Sequence, residues 1–120
     1  MSLDSQYIFS ANMDVEKGKE DLFNEVYDTE HVPLLKQVPG VISIARFKTQ
    51  ELTMTLGGET HTVIVEGEPK YSAIYEIESP EVLSSREWGM AVEEGRWPEK
   101  VRPYTTNRRH ILRKRIYPTE

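Results

Sequence analysis

The chain has 120 residues, a formal charge of −5 at pH 7 and no cysteine. This length suits one domain with a modest core, and the lack of cysteine excludes disulfides, thiolate catalysis and cysteine-based metal sites. No apolar stretch approaches the ~20 residues needed to cross a bilayer, and no signal peptide is visible. We therefore expect a single cytoplasmic domain over residues 1–120, without a membrane partner.

Basic residues cluster near the end of the chain. Residues 96–115 contain eight Lys or Arg and one acid, Glu99. A basic segment of this kind can bind a phosphate backbone, but the interleaved aromatic residues of single-strand binders are missing. We interpret the segment as a strand with a solvated charged face and predict no nucleic-acid partner.

Hydrophobic periodicity predicts alternating strands and helices. Pro33 disfavours helical backbone at Val32, so the first helix should end or kink after His31. In chain order the predicted elements are a strand (6–13), a helix capped by Asp14, a strand (41–47), a hairpin insertion (52–65), a strand (71–77), a helix with Ser79 as N-cap that ends near Gly95, and a strand (106–116). This order predicts an α+β, ferredoxin-like sandwich, an antiparallel sheet with both helices on one face.

Both faces of the predicted sheet carry apolar side chains. One face would present Tyr7, Phe9, Met13, Tyr71, Tyr75 and Ile77 from the first and third strands, and the other Ile8 and Ile74. The second strand likewise opposes Val41, Ala45 and Phe47 to Ile42 and Ile44. Because helices cover one face only, and a large exposed apolar face is unusual on a monomer, we predict a homodimer.

The first helix carries the sharpest candidate for chemistry. Phe23, Tyr27 and His31 recur every four residues and therefore lie on one face of the helix. At the helix end, unpaired carbonyls favour the protonated form of His31. His31 could act as a general acid or base with Tyr27 orienting it, or it could simply cap the helix end; the sequence leaves both interpretations open.

Arg46 and Tyr75 stand in otherwise apolar strands and each has two interpretations. Arg46 could clamp a ligand anion, but pairing with an acid such as Glu76 across the sheet is the favoured interpretation. Tyr75 could line a ligand pocket or pack in the core with its hydroxyl satisfied.

Aromatic and basic residues flank the second helix. Trp88 and Trp97 are interpreted as core or pocket-lid residues, and Tyr104 lies close after them in sequence. Arg96 and Arg102 could close over a ligand or form salt bridges to the acids at the helix end (Glu93, Glu94).

No metal or phosphate motif is visible. The three histidines are far apart in sequence and lack metal-ligand spacing, so we predict no metal site. The pair Gly57-Gly58 lies between strands rather than before a helix, so it is not a phosphate loop.

Several segments together resemble a known superfamily. Residues 23–33 (FNEVYDTEHVP), 38–41 (VPGV) and 45–47 (ARF) resemble EthD-like proteins of the dimeric α/β-barrel superfamily, and residues 70–80, 95–97 and 101–103 add to the likeness. The resemblance covers most of the chain outside residues 52–68. It implies two sheets packed face to face in a dimer, with a cleft between sheet and helices in each protomer.

The resemblance implies function only by analogy, since one fold hosts many activities. Our first hypothesis is a small cofactor-independent enzyme of monooxygenase, isomerase or cyclase type, acting on an apolar, oxygen-bearing molecule. Its catalytic residues would be His31 and Tyr27, and its substrate-binding residues Phe23, Arg46, Tyr75, Trp88, Trp97 and Tyr104. The alternative is a non-catalytic binding or accessory protein of a degradation or biosynthetic pathway. We expect no cofactor; haem is the alternative, because a lone histidine ligates it in some relatives.

Overall fold

The computed structural model describes residues 6–118, which form two sheets and a layer of short helices. The strands are β1 (Tyr7–Val15), β2 (Val41–Lys48), β3 (Leu52–Leu56), β4 (Glu59–Val63), β5 (Tyr71–Ile77) and β6 (Thr105–Lys114). The helices are α1 (Glu20–Val26), a π-helical turn (Tyr27–His31), α2 (Val32–Lys36), a 3-10 turn (Pro80–Ser84), α3 (Arg86–Ala91), a second π-helical turn (Trp97–Val101) and a 3-10 turn (Arg102–Tyr104).

The main sheet has the order β2-β5-β1-β6, and its neighbouring strands are antiparallel. This is the strand order of a ferredoxin-like sandwich, so the predicted fold class is confirmed. The hairpin β3–β4 forms a separate two-stranded sheet. Alternate side chains of β1 and β5 point at the helices, and there they form the buried core with residues from α1 and α2. No helix among residues 6–118 is long and apolar enough to span a membrane.

A β-bulge in β2 changes which of its side chains reach the core. Val41 pairs with Ile77 but Ser43 pairs with Glu76, so Ile42 is an extra residue. Val41 therefore shares the core face with Ile44, contrary to the predicted alternation. The bulge could not be foreseen because the residues around it are all compatible with a regular strand.

Of the two predicted outcomes after His31, an end or a kink, the end is wrong, because the helix continues to Lys36 and instead changes from a π-helical turn to α2 at this point. The N–H of Val32 bonds to the carbonyl of Tyr27, five residues back, which widens the turn. This wide turn ends just before Pro33. Because proline has no backbone N–H, no donor is left without a partner at that position. The chain absorbs the proline with a π-helical turn instead of stopping.

Two predicted caps are also wrong. Asp14 lies in β1, where its carboxylate accepts a bond from the backbone N–H of Lys70 at 2.8 Å. Ser79 makes no side-chain cap; the second helix is divided, and Ser85 caps α3 by accepting a bond from the N–H of Trp88 at 3.1 Å. Tertiary pairing of strands outweighs local capping preference at Asp14.

Gly40 makes the tight turn between α2 and β2. Its φ is +93°, and a Cβ there would lie 2.4 Å from Cγ2 of the buried Val82. Gly18 has nearly the same φ, +94°, but nothing lies within 4 Å of its Cβ position. Both positions therefore require the positive φ that glycine tolerates, but only at Gly40 would a side chain also clash with a neighbour.

We expect Gly40→Ala to lower the free energy of unfolding more than Gly18→Ala does, by about 1–3 kcal/mol, because overpacking adds to backbone strain. Urea denaturation of the two variants measures this difference. Equal losses would contradict the close contact with Val82.

Candidate functional site

The aromatic stripe of the first helix continues into a cluster that includes Trp97. The rings of Phe23 and Tyr27 are 5.4 Å apart, and those of Tyr27 and His31 are 5.1 Å apart and nearly perpendicular. The imidazole of His31 then stacks on Trp97 at 4.3 Å with an interplanar angle of 19°. The two π-helical turns provide Tyr27, His31 and Trp97, and they bring these three rings together.

A cavity of about 210 Å³ lies between the sheet and this cluster. The helical layer contributes Tyr27, His31, Leu35, Trp88, Val92 and Trp97, and the sheet contributes Phe9, Ala11, Met13 and Tyr75. At the mouth lie the basic residues Arg102, Arg108 and His110. The cavity therefore combines aromatic walls with a cationic rim and has no acidic lining residue among those described.

His31 is buried in the cavity wall, with 5% of its surface exposed. Its Nδ1 is buried and has no hydrogen-bond partner within residues 6–118. Burial, with smaller contributions from the charges of Arg102 and Arg46, lowers the pKa of His31 to about 4. The protonated form expected from the helix end is thus wrong, since the helix continues past His31 and desolvation dominates.

Tyr27 and Tyr75 are buried side by side in the cavity wall. Burial raises the pKa of Tyr27 and raises that of Tyr75 well above its ordinary value, so both hydroxyls stay neutral. The interaction between the two hydroxyls offsets part of the effect of burial on the pKa of Tyr27, whereas it adds to that effect for Tyr75. Neutral phenols can donate hydrogen bonds to an oxygen of a ligand.

Arg46 lies outside the cavity lining and faces the helices. Its guanidinium donates to Asp28 Oδ1 at 2.7 Å and to Asn24 Oδ1 at 2.9 Å, and it lies 4.4 Å from the ring centre of Tyr27. The favoured pairing with Glu76 is wrong, because Glu76 accepts a bond from Ser43 instead. The bulge in β2 places these side chains on opposite faces of the sheet.

Two other candidate residues also lie outside the cavity lining. Phe23 is fully buried behind Tyr27 in the core. Tyr104 lies next to Lys19, whose Nζ is 4.3 Å from its ring centre. Among the eight candidate residues, the cavity brings together Tyr27, His31, Tyr75, Trp88 and Trp97.

The arginines near the second helix separate into two groups. Arg102 lines the cavity and bonds to Glu93 at 2.7 Å, so its predicted salt bridge is confirmed. Arg96 instead pairs with Glu25 and Glu30 on the first helix, which ties the two helical segments together on the outside. The predicted salt bridge of Arg96 to Glu93 or Glu94 is therefore wrong.

Sequence reasoning missed Arg108 and His110. The ring of His110 stacks parallel to Phe9 at 5.9 Å, and burial and the charge of Arg108 lower its pKa. His110 pairs with Ala11 on the core face, but regular alternation from the buried Thr105 would turn it outward, so nothing in the sequence indicated it. No group of three potential metal-ligating side chains occurs among the residues that the structure describes.

Comparisons with solved structures identify the fold. The chain is similar to an ethyl tert-butyl ether degradation (EthD) family protein from Bacillus halodurans, with a TM-score of 0.57 and 13% identity over 92% of this chain and 99% of that one. It is also similar to MhuD, a heme-degrader from Mycobacterium tuberculosis with two hemes bound in its active site, with a TM-score of 0.57 and 15% identity over 95% and 99% of the chains. The chain is similar as well to an MhuD variant with two manganese protoporphyrin IX molecules per active site, with a TM-score of 0.58 and 14% identity over 95% of this chain and 98% of that one.

These likenesses define the class of fold: the chain has a ferredoxin-like α+β fold, which it shares with an EthD family protein and with MhuD, so the resemblance to EthD-like proteins is confirmed at the level of the fold. No family model and no curated protein matches the sequence. The two porphyrin complexes contradict the prediction that the protein works without a cofactor.

The low pKa of His31 predicts a specific pH dependence of stability. The unfolded chain binds a proton on this ring near pH 6.5, whereas the folded chain does so only near pH 4. The free energy of unfolding should therefore fall between pH 6.5 and 4, by at most about 3 kcal/mol from this group. Urea denaturation of the wild type and of His31→Gln between pH 6.5 and 4 measures this fall. The difference between the two proteins isolates His31, because the other titratable groups are common to both. A His31 signal that titrates near pH 6.5 by NMR would contradict the burial argument.

Proposed function

We propose that this protein binds a flat aromatic small molecule in the cavity, with His31 as the residue that contacts its polar or metal centre. One observation carries the proposal: His31 is neutral and buried in an aromatic wall, and its Nδ1 has no hydrogen-bond partner among residues 6–118. A buried polar atom without a partner costs about 1–3 kcal/mol, so native proteins keep few of them. A ligand group that pairs with the imidazole would remove that cost.

The cavity walls favour a flat ligand. Trp88 and Trp97 are amphipathic aromatic residues of the kind that stack on ring systems, and Tyr27 and Tyr75 add hydroxyl donors. An apolar ring that carries oxygen atoms could therefore stack on the tryptophans and accept hydrogen bonds from the tyrosines. This is the class of ligand expected for the superfamily.

A metalloporphyrin is the leading candidate within this class. A neutral imidazole is a good ligand for haem iron, and the unpaired His31 in this chain fits that requirement. Bound haem supplies redox and oxygen chemistry, while the chain would contribute the iron ligand and the aromatic walls. The volume of about 210 Å³ is below the ~300 Å³ of typical small-molecule sites, so a porphyrin would extend through the mouth.

We expect the purified protein to bind ferric protoporphyrin IX with a shift of its Soret band, and His31→Ala to weaken binding by about tenfold or more, because an iron–nitrogen bond is lost. Absorbance titration measures this. Quenching of tryptophan fluorescence reports entry into the cavity, because both tryptophans of the chain line it.

The matched controls are the other two histidines. His61 lies on the exposed β4 strand, so His61→Ala should bind like the wild type unless haem attaches to the surface. Loss of the Soret shift in His110→Ala with retention in His31→Ala would move the iron ligand to the cavity mouth. No Soret shift in the wild type would contradict the porphyrin assignment.

A binding or accessory protein without turnover is the second candidate. The observation that favours it is that the lining, as far as residues 6–118 form it, has no acidic or hydroxyl nucleophile beyond the two tyrosines. General acid–base work would rest on His31 and His110, and burial lowers the pKa of both, which makes them weak bases at neutral pH. Retention of an unchanged Soret band in the presence of oxygen and a reductant would favour this candidate over an enzyme.

We also propose that two chains pair through the sheet face opposite the helices. Phe47 is 51% exposed on that face, and Ile8 and Ile74 are half-buried there. The polar side chains between them already have partners: Asn12 donates to Ser10 and accepts from Ser72. These three polar side chains can therefore be covered without being left unpaired.

We expect Ile74→Lys to convert a dimer into a monomer, because Ile74 lies between Ser10 and Ala45 at the centre of this face and a buried unpaired charge is costly. Multi-angle light scattering after size exclusion measures the mass. Met90→Lys, at a 52% exposed position on α3, is the control and should leave the dimer intact. A wild-type monomer would contradict the pairing.

A further inference from the structure

The first residues of β6 contain a second β-bulge, at the mouth of the cavity. Asn12 pairs with Arg109 and Asp14 with Thr106, so Asn107 and Arg108 together oppose Met13. Asn107 has a positive φ of 51°, a conformation that asparagine tolerates better than most residues. Bulges of this kind re-aim side chains next to binding sites.

The bulge is held by side-chain bonds. Asn107 Nδ2 donates to Asp14 Oδ2 at 3.1 Å and to the carbonyl of Gly67 at 2.9 Å. The same carbonyl accepts a bond from Arg109 at 3.0 Å. The side chains of Asp14, Asn107 and Arg109 therefore stabilise the bulge.

The bulge decides which arginine reaches the cavity. Thr105 is buried on the core face, so regular alternation from it would turn residues 107 and 109 inward and residues 108 and 110 outward. The extra residue reverses this order, and Arg108 and His110 line the cavity. Arg109 instead lies on the other face with Glu68 at 3.8 Å.

Arg108 is available for a ligand. Arg102, the neighbouring arginine of the lining, is occupied by Glu93 and by the carbonyl of Val92. For Arg108 the described part of the chain provides no hydrogen bond and no ion pair, and no carboxylate lines the cavity. The mouth thus carries uncompensated positive charge next to an aromatic interior.

We propose that Arg108 is the anion-recognising residue of the site, and that the cavity selects flat aromatic ligands that carry a carboxylate or sulfonate group. This inference rests on the proposed small-molecule function and specifies its ligand class. A guanidinium binds such groups through charge-assisted, often bidentate, hydrogen bonds. The aromatic part of the ligand would lie inside and its anionic group at the mouth.

Two fluorescent probes that differ in one charged group test the proposal. We would titrate 8-anilinonaphthalene-1-sulfonate and its neutral counterpart N-phenyl-1-naphthylamine, and detect energy transfer from Trp88 and Trp97, so that only binding near the cavity is counted. Arg108→Gln should weaken binding of the sulfonate about five- to tenfold and leave the neutral probe within twofold. Arg108→Lys should retain most of the difference between the probes.

Arg86→Gln is the matched control, because it removes the same charge from an exposed position on α3 that is outside both the cavity lining and the proposed pairing face. Equal losses in Arg108→Gln and Arg86→Gln, or equal losses for both probes in Arg108→Gln, would overturn the anion assignment while the cavity remains a site. Failure of the wild type to bind either probe would overturn the proposed small-molecule function, and this inference with it.

Discussion

Burial of the His31 ring between Tyr27 and Trp97 is the interaction on which the rest of the site depends. It joins the two helical segments across the core, keeps the imidazole neutral, and leaves Nδ1 without a hydrogen-bond partner in the part of the chain that the structure describes. Both neighbours come from π-helical turns, whose wider geometry brings an extra residue into each helix. Such turns cost stability, and here they form the wall of the cavity.

The electrostatics of the cavity follow from the placement of a few arginines. Arg46 and Arg102 both lower the pKa of His31, but each is neutralised by an acid on the outside, Asp28 or Glu93. Among the described residues no acid pairs with Arg108, so its positive charge at the mouth is uncompensated there. A neutral imidazole inside and a free guanidinium outside are suited to a ligand with a metal or polar centre and a peripheral anion.

Most of the fold could be predicted from local sequence. The third strand, 71–77, is observed with the predicted bounds, and the order of strands and helices is correct because apolar periodicity and turn residues act locally. Tyr27, His31, Tyr75, Trp88 and Trp97 were identified as candidates, and the cavity does bring them together. Arg108 and His110 were missed because a bulge, rather than a motif, turns them inward.

The sequence by itself therefore determined the ferredoxin-like order of elements and the aromatic stripe that ends at His31, since both depend on spacing within single elements. Only the tertiary structure decided the facing of Arg46 and Arg108, because one extra residue in a strand reverses every side chain beyond it. It also decided the charge of His31: a helix end favours the protonated ring, but desolvation in the packed core outweighs that field.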